Sequence, residues 1–340
     1  MIIILRPHST DADVRAVEQR VREAGYEPHT IRGEVRTVVA CVGDESQHAS
    51  LESLVSLPEV DNVLPVQRKY KLISRETHPD AAVVNAGGVA IGGPALQVIA
   101  GPCSVESREQ ILATAAAVRA AGATLLRGGA FKPRTSPYEF QGLGDEALAL
   151  LAEARAAEGL PIVTEVLREG DVDKVAAAAD LLQIGARNMM NYSLLERVAA
   201  TGKPVLLKRG LAAKVDEWLL AAEYIVKRGN RQVILCERGI RTFETATRNT
   251  LDLGAVAVAK RECCLPVVVD PSHAAGRADL VLPLALAAIA AGADGLVVEV
   301  HPRPAAALSD AAQQLDFAAF ERFMQAIRPF VAAAGRRLSS

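Results

Sequence analysis

After about residue 95 the chain alternates short apolar runs with Ala-rich stretches of helical periodicity. The runs that predict strands are LQVIAGPC, TLLRGG, PIVTEV, LLQIGA, PVLLKRG, QVILCERG, LPVVVDPSH and GLVVEVHP. The stretches that predict helices cover residues 106–121, 144–158, 171–178, 192–201, 215–229, 244–262, 280–291 and 316–334. Apolar strands that are each followed by an amphipathic helix are typical of a parallel sheet covered by helices, so eight such units predict a (β/α)₈ barrel. A doubly wound open sheet is disfavoured because no G-x-G-x-x-G turn follows the first strand.

The first 74 residues have a different pattern, which predicts the element order β-α-β-β-α-β. The predicted strands are IIILR, EPHTIRG, RTVVACVG and DNVLPVQRKYKLI, and the helices are one that follows Ser9 and the segment SLESLVSLP. This order predicts a small ferredoxin-like α+β domain over residues 1–74. Residues 75–95 are rich in Gly, Pro and polar side chains, which predicts a linker and a hairpin that caps the barrel. The barrel itself is then expected over residues 96–340.

Composition indicates a globular protein with one large core. The chain has 340 residues, 50% hydrophobic content and a mean hydropathy of +0.17. The longest apolar run, residues 280–293, contains Pro283 and is shorter than the roughly 18 residues of a membrane span. Arg6 and Asp11 follow the apolar start too closely for a signal peptide. We therefore expect a cytoplasmic protein without a membrane partner.

Charge and cysteine usage argue against two further classes of protein, nucleic-acid-binding proteins and disulfide-rich proteins. The net charge of −2 and the pI of about 6.3 argue against a nucleic-acid partner, since basic residues are not in excess. Five widely spread cysteines, an odd number, fit reduced thiols better than a disulfide framework. Any anion-binding site must therefore be built locally.

Ionisable residues interrupt the apolar strands at their carboxyl ends, which is the pole where barrels carry their active sites. In strand order they are Cys103; Arg127, Lys132 and Arg134; Glu165; Arg187; Lys208 and Arg209; Glu237 and Arg238; Asp270 and His273; Glu299 and His301. Because isolated buried charges are costly, this concentration predicts mutual pairing, a metal ion or bound anions.

Four of these positions can supply metal ligands. Cys103, His273, Glu299 and Asp310 come from the first, seventh and eighth strands, which are neighbours in a closed barrel. A thiolate, an imidazole and two carboxylates suit a divalent ion of the manganese, iron, cobalt or zinc type. His301, two residues from Glu299 on the same strand face, is either a partner of a ligand or an alternative ligand.

The cations at this pole exceed what one monoanion requires. They are Arg127, Lys132, Arg134, Arg187, Lys208 and Arg238. Substrates with two phosphates and a carboxylate between them would use all of these side chains, with Glu165 and Glu237 orienting them.

Seven segments together resemble the type I 3-deoxy-D-arabino-heptulosonate 7-phosphate (DAHP) synthases, and specifically the subgroup with an N-terminal ferredoxin-like regulatory domain. They are IAGPCSVES, LLRGGAFKPRTSPYEFQGLG, LQIGARNMMN, LLKRG, ILCERGIRTFE, VVVDPSHAAGR and VEVHPRPAAALSDAAQQL. The resemblance implies an aldol-like condensation of phosphoenolpyruvate with erythrose 4-phosphate that releases phosphate. This reaction is the first step of the shikimate pathway to chorismate and the aromatic amino acids.

The resemblance also implies a role for each position. Cys103, His273, Glu299 and Asp310 match the metal ligands; Arg127, Lys132, Arg187, Lys208 and Arg238 match the phosphoenolpyruvate site; Arg134 and Thr135 match the site for the aldose phosphate. Lys132 is the expected general acid, Glu165 is expected to position water, and His301 completes the candidate catalytic residues. The resemblance further implies a homotetramer with an aromatic amino acid effector at the N-terminal domain.

Two alternatives remain. The 3-deoxy-D-manno-octulosonate 8-phosphate synthases share the fold and phosphoenolpyruvate but use arabinose 5-phosphate and read KAN-R-S where this chain reads KPRTS at residues 132–136. A non-catalytic ligand-sensing barrel is the remote alternative, and it is disfavoured because every matched position is present.

Overall fold

A computed structural model of the chain describes residues 1–33, 35–43, 50–64, 70–132, 136 and 138–339. The chain divides into two compact units, Met1–Lys69 and Tyr70–Ser340. All five cysteines are buried and free of disulfides. In the described ranges, no helix has the length and apolar character needed to cross a bilayer.

The first unit is a four-stranded antiparallel sheet with one α-helix. Its elements are β1 Ile2–Leu5, α1 Asp11–Glu23, β2 Glu27–Arg32, β3 Thr37–Val42, a 3₁₀ helix Glu52–Ser56 and β4 Val60–Leu64. The sheet order is β2-β3-β1-β4, and this ferredoxin-like arrangement confirms the prediction. The α1 helix starts at a capping box, in which the Thr10 hydroxyl accepts from Asp13 N and the Asp13 carboxylate accepts from Thr10 N.

The predicted second helix of this unit is only a five-residue 3₁₀ helix. It has no side-chain cap at its start. The helix ends at Ser56, and the next residue, Leu57, has the extended backbone that the following Pro58 favours.

The first two strands of the second unit form a β-hairpin that closes one end of a barrel. Strands β5 Val84–Ala86 and β6 Val89–Ile91 pair antiparallel across Gly87 and Gly88, which have positive φ angles of 59° and 93°. Two consecutive residues with positive φ are what a two-residue hairpin turn requires, and glycine supplies them without strain. The hairpin side chains Val84 and Ile91 pack in the same cluster as the residues inside the barrel.

Eight parallel strands close into the predicted barrel. They are β7 Ala95–Gly101, β8 Leu125–Arg127, β9 Ile162–Val166, β10 Leu181–Ile184, β11 Val205–Lys208, β12 Val233–Glu237, β13 Val267–Val269 and β14 Gly295–Glu299. Each pairs with the next, and β14 pairs with β7. The chain ends with β15 Arg337–Leu338, which adds to the start of β7.

Helices cover the outside of the barrel. They are α2 Arg108–Ala121, α3 Asp145–Glu158, α4 Val172–Ala178, α5 Tyr192–Ala199, α6 Val215–Lys227, α7 Leu253–Glu262, α8 Pro271–Ala275, α9 Val281–Ala290 and α10 Phe317–Ala333. Short 3₁₀ helices occur at Glu169–Asp171, Ala186–Asn188, Ala278–Leu280, Pro304–Ala306 and Ala311–Gln313.

Two helical elements differ from the prediction. The helix expected over residues 244–262 begins only at Leu253, because Asp252 caps it by accepting from Ala255 N. The preceding residues form an exposed loop, in which Phe243 is 98% exposed. The short helix α8 was not predicted. It begins directly after Asp270, whose side chain accepts from His273 N, with Pro271 at the first helical position.

Candidate active site

A cavity of about 320 Å³ opens at the carboxyl ends of the barrel strands. Its lining residues are Arg127, Lys132, Glu139, Glu165, Gln183, Gly185, Ala186, Arg187, Lys208, Leu211, Arg238, Arg241, Arg248, Asn249, His273 and Asp310. Among the described residues, seven cations face this space against three carboxylates. The excess of positive charge suits a substrate that carries phosphate or carboxylate groups.

The four predicted metal ligands meet at one side of this cavity. Cys103 follows β7 and Glu299 ends β14, so the pairing of these two strands brings them together. Donor atoms of Cys103, Glu299 and Asp310 all lie within 4.8 Å of one another. His273 Nε2 lies 3.5 Å from Glu299 Oε1 and 3.7 Å from Asp310 Oδ2. Atoms that bind one tetrahedral ion are also about 3 to 4 Å apart, so the spacing of this set fits a metal.

The electrostatics of the cluster also fit a cation. Burial raises the pKa of the Cys103 thiol to about 12, so the thiolate that a metal needs is stable only beside added positive charge. Its Sγ lies 3.3 Å from Asp310 Oδ2. Glu299 is fully buried, and its Oε1 lies 2.8 Å from Arg127 Nη1 without forming a directed hydrogen bond in the described structure.

Asp270 connects the cluster to the substrate cavity, although sequence reasoning did not select it as a site residue. Its Oδ2 lies 2.6 Å from Lys208 Nζ and 2.7 Å from His273 Nδ1. Burial would raise the pKa of Asp270, but the charges of His273 and Lys208 outweigh it and hold that pKa well below its ordinary value. His273 Nδ1 lies against Asp270 without forming a directed hydrogen bond in the described structure, and Nε2 faces Glu299 and Asp310. The Asp270 carboxylate thus lies on the side of the ring where a metal-binding histidine has its partner.

The predicted substrate-binding cations occupy different environments. Lys132 is buried and its Nζ donates to Cys103 O at 2.9 Å. Arg187 is exposed at the rim. Arg238 is buried and, in the described structure, meets no carboxylate; its guanidinium makes one long contact of 3.5 Å with Gly239 O. Burial lowers the pKa of Arg238. Arg134 and Thr135, with Pro133, lie outside the described residues.

Glu165 lines the cavity, whereas Glu237 lies behind it. A Cβ atom at Gly185 would collide with Glu165 Oε1, so a glycine is needed for Glu165 to occupy its position. Glu237 is fully buried and accepts from Arg209 Nη1 at 2.9 Å and from Gly239 N at 2.7 Å. Arg209 also binds Asp252, so Glu237 belongs to an ion-pair group below the cavity surface.

His301 also lies outside the cavity lining. Its Nδ1 accepts from Arg303 N at 3.0 Å, so Nε2 carries the proton of the neutral ring and faces Glu106 Oε2 at 3.3 Å. Glu106 Oε1 accepts from Leu308 N at 2.9 Å. His301 and Glu106 therefore hold the loop that leads to Asp310.

The structure adds lining residues that sequence reasoning missed. Arg241, Arg248 and Asn249 lie in the loop before α7, and Arg248 Nη1 contacts Asp310 Oδ1 at 3.1 Å and Gln313 Oε1 at 3.0 Å. Arg248 and Asn249 were missed because residues 244–262 were predicted to be helical. Gln183 could have been found, because it is the one polar residue in the apolar strand β10.

Fold and cavity together define a two-domain (β/α)₈-barrel enzyme with a site for anionic small molecules. The DAHP synthetase I family model matches residues 73–331, and the DAHP synthase ferredoxin-like domain model matches residues 1–68. The chain therefore belongs to the DAHP synthetase I family.

Similar proteins and solved structures support this family assignment. The phospho-2-dehydro-3-deoxyheptonate aldolase of Thermotoga maritima is 49% identical over 339 residues, which is 100% of both chains. A crystal structure of that DAHP synthase has a TM-score of 0.94 at 48% identity and covers 99% of each chain. A truncated form of the Thermotoga maritima enzyme has a TM-score of 0.75 at 49% identity, with coverage of 79% of this chain and 99% of that one.

The alternative octulosonate activity has weaker support. A 2-dehydro-3-deoxyphosphooctonate aldolase of Rhodopseudomonas palustris is 36% identical over 279 residues, covering 76% of this chain and 96% of the relative. This match is more distant and leaves part of the chain uncovered. The predicted DAHP synthase activity is thus confirmed over this alternative.

Proposed function

We propose that the chain condenses phosphoenolpyruvate with D-erythrose 4-phosphate to give DAHP and inorganic phosphate, with one divalent metal ion in the cavity. The observation that carries this proposal is the meeting of four donor side chains with a strongly cationic cavity. Cys103, His273, Glu299 and Asp310 would hold the ion, and their mixed S, N and O donors suit manganese, iron, cobalt or zinc. When bound, the ion supplies Lewis-acid polarisation of the aldehyde oxygen.

The cavity cations would divide the two substrates between them. Phosphoenolpyruvate would bind Arg127, Lys132, Arg187, Lys208 and Arg238. Arg238 supports this role most directly, because a buried guanidinium without a described carboxylate partner gains most from a phosphate. Arg134 and Thr135 would bind the phosphate of the aldose. Glu237 would act indirectly, by holding Arg209 beneath the substrate site.

Lys132 is suited to give a proton to the aldehyde oxygen as C3 of phosphoenolpyruvate attacks the aldehyde carbon. Burial would lower its pKa, but the acidic groups around it, Glu165 and Glu299 among them, outweigh burial and raise it, so the amine carries a proton at neutral pH. Glu165 would accept a proton from the water that adds at C2. Cleavage of the bond between C2 and the phosphate oxygen then releases phosphate and leaves the ketone of the product.

The proposal is tested by phosphate release from phosphoenolpyruvate with two aldoses. Release with erythrose 4-phosphate and not with arabinose 5-phosphate is expected, and the opposite preference would reject the assignment. Chelation should abolish turnover, and added Mn²⁺ or Zn²⁺ should restore it. Cys103→Ser should bind the metal more weakly, and full activity of this variant after chelation would reject the metal site.

We further propose that the N-terminal unit confers inhibition by an aromatic amino acid within a homotetramer, in a cytoplasmic enzyme of the shikimate pathway. Tyr70 and Ile73 are buried in the second unit, so the informative truncation keeps residues 70–340. This shortened chain should remain active and lose inhibition by tyrosine or phenylalanine. Retained inhibition would contradict the regulatory role.

A further inference from the structure

Gln313 is a buried side chain that connects the two carboxylates of the donor cluster. It ends the 3₁₀ helix Ala311–Gln313 and is only 2% exposed. Its Nε2 donates to Glu299 Oε2 at 2.5 Å, and its Oε1 accepts from Arg248 Nη1 at 3.0 Å. The same Nη1 atom donates to Asp310 Oδ1 at 3.1 Å. A chain of hydrogen bonds therefore runs from Glu299 through Gln313 and Arg248 to Asp310.

These contacts leave one oxygen of each carboxylate facing the other donors. Glu299 Oε1 lies 3.5 Å from His273 Nε2 and has no directed hydrogen-bond partner in the described structure. Asp310 Oδ2 lies 3.3 Å from Cys103 Sγ and 3.7 Å from His273 Nε2. The hydrogen-bond chain thus occupies the outer oxygens, Oε2 and Oδ1, while the inner oxygens face the sulfur and imidazole donors.

Arg248 is itself held in place by the loop that carries it. Arg248 N donates to Ala275 O at 3.0 Å, and the neighbouring Asn249 Nδ2 donates to His273 O at 2.9 Å. A Cβ atom at Gly276 would collide with Arg248 Cβ, so the glycine permits the loop to lie this close to α8. The guanidinium therefore reaches Asp310 and Gln313 from a fixed backbone.

The backbone of Asp310 also depends on its surroundings. Its φ of 48° and ψ of 38° lie in the left-handed region, which residues other than glycine adopt infrequently. Such a conformation persists where neighbouring groups impose it. Here Gln313 N donates to Asp310 O at 3.3 Å, and Arg248 binds the side chain.

We propose that Gln313 and Arg248 are positioning residues that align Glu299 and Asp310 and thereby set the affinity and geometry of the metal site. This inference rests on the proposed function, because it requires that the donor cluster binds a divalent ion. Ligands that are already aligned lose less conformational freedom when the ion binds. Residues that hold the ligands of a metal typically contribute about 10- to 100-fold to its affinity.

Co²⁺ binding to the metal-free, full-length chain tests the role of Gln313 without turnover. Competition with a chromophoric chelator gives the dissociation constant, and the visible bands of bound Co²⁺ report the coordination geometry. Gln313→Met keeps the length of the side chain and removes the amide. Its dissociation constant should rise by about 10- to 100-fold, and its Co²⁺ bands should change in position or intensity.

Arg248→Met is the second variant, and it separates alignment from charge. The Arg248 side chain is 41% exposed, so this variant should fold. Removing a positive charge beside a cation site would by itself strengthen cation binding. Several-fold weaker Co²⁺ binding would therefore show lost alignment. Combined with Gln313→Met, the effect should be smaller than the product of the single effects, because the two residues belong to one hydrogen-bond chain.

Two controls complete the test. Gln97→Met removes another buried amide, whose Nε2 donates to Ala90 O near the start of β7, and it should change Tm without changing the Co²⁺ affinity or bands. Arg241→Met removes a different cation of the same cavity and should not weaken Co²⁺ binding. Wild-type affinity in Gln313→Met or Arg248→Met, or equal weakening in either control, would overturn the positioning role alone. Failure of the wild-type chain to bind Co²⁺ would overturn the proposed metal site as well.

Discussion

The Nζ atom of Lys208 lies 2.6 Å from Oδ2 of Asp270, in a buried contact at the end of the barrel. The same carboxylate oxygen lies 2.7 Å from His273 Nδ1. A single acid thus fixes a proposed substrate-binding cation and a proposed metal ligand. Asp270→Asn should lower metal affinity by about 10- to 100-fold and reduce kcat, because His273 loses the group that orients its ring. Competition with a chromophoric chelator measures the affinity.

The matched control for this change is Asp279→Asn. Asp279 also pairs with a cation, Arg277, but both side chains are exposed. Exposed pairs contribute little, so metal affinity and kcat should remain at their wild-type values. Equal metal affinity in wild type and Asp270→Asn would contradict the positioning role.

Gly185→Ala tests whether kcat depends on the position of the Glu165 carboxylate. The backbone at residue 185 has φ −68° and ψ 158°, which alanine adopts without strain, so the new methyl group acts through contact alone. It would collide with Glu165 Oε1 and displace the carboxylate. We expect kcat to fall by at least about tenfold, as general acid–base groups contribute that much or more. Tm should change little.

Gly170→Ala provides the control, since a Cβ atom there meets no atom within 4 Å. Its kcat should match that of the wild-type enzyme. If Gly185→Ala retained full kcat, Glu165 would not need its present position, and the proposed handling of water would have to be abandoned.

The barrel and the location of its polar residues could be predicted from the sequence because of the geometry of parallel strands. Parallel strands place their carboxyl ends at one pole, so Cys103, Lys208 and Glu299 could be assigned to a common site from strand order alone. Arg248 could not be assigned, because its loop was predicted as helix. The partners of Glu237 and His301 depend on contacts between distant segments, which periodicity does not encode.

His301→Gln distinguishes a catalytic histidine from a positioning one. His301 binds Glu106, which in turn accepts from Leu308 N, two residues before Asp310. If His301 positions this loop, the variant should bind metal several-fold more weakly, and excess metal should restore kcat. Glu106→Gln should behave alike, and the double variant should be no worse than either single change, because the residues act as one unit. A low kcat at saturating metal would instead support a catalytic role.

Alkaline stability should depend on Cys236, which is buried in β12 away from the proposed ligands. Burial raises the pKa of this thiol to about 12. The unfolded chain loses the thiol proton near pH 9, so the stabilisation is complete below that pH and is lost as pH rises towards 12. At pH 10 the stabilisation that has been lost is on the order of 1 kcal/mol. Cys236→Ala should show a smaller loss of unfolding free energy between pH 8 and pH 10 by denaturant titration. An unchanged pH dependence would contradict this assignment.

Glu237→Gln tests whether Glu237 contributes to substrate binding or to the stability of the fold. Its carboxylate pairs with the buried Arg209, which also binds Asp252. Removing one partner of a buried ion pair typically costs about 3–5 kcal/mol, and the remaining contact with Asp252 should place this variant at or below the lower value. The Michaelis constant for phosphoenolpyruvate should stay within about twofold of wild type. Glu196→Gln, which breaks an exposed pair with Arg228, should cost less than about 1 kcal/mol. A raised Michaelis constant for phosphoenolpyruvate with an unchanged free energy of unfolding would contradict the structural role. It would indicate that Glu237 contacts the substrate, because a residue that acts only through the fold should change stability as well.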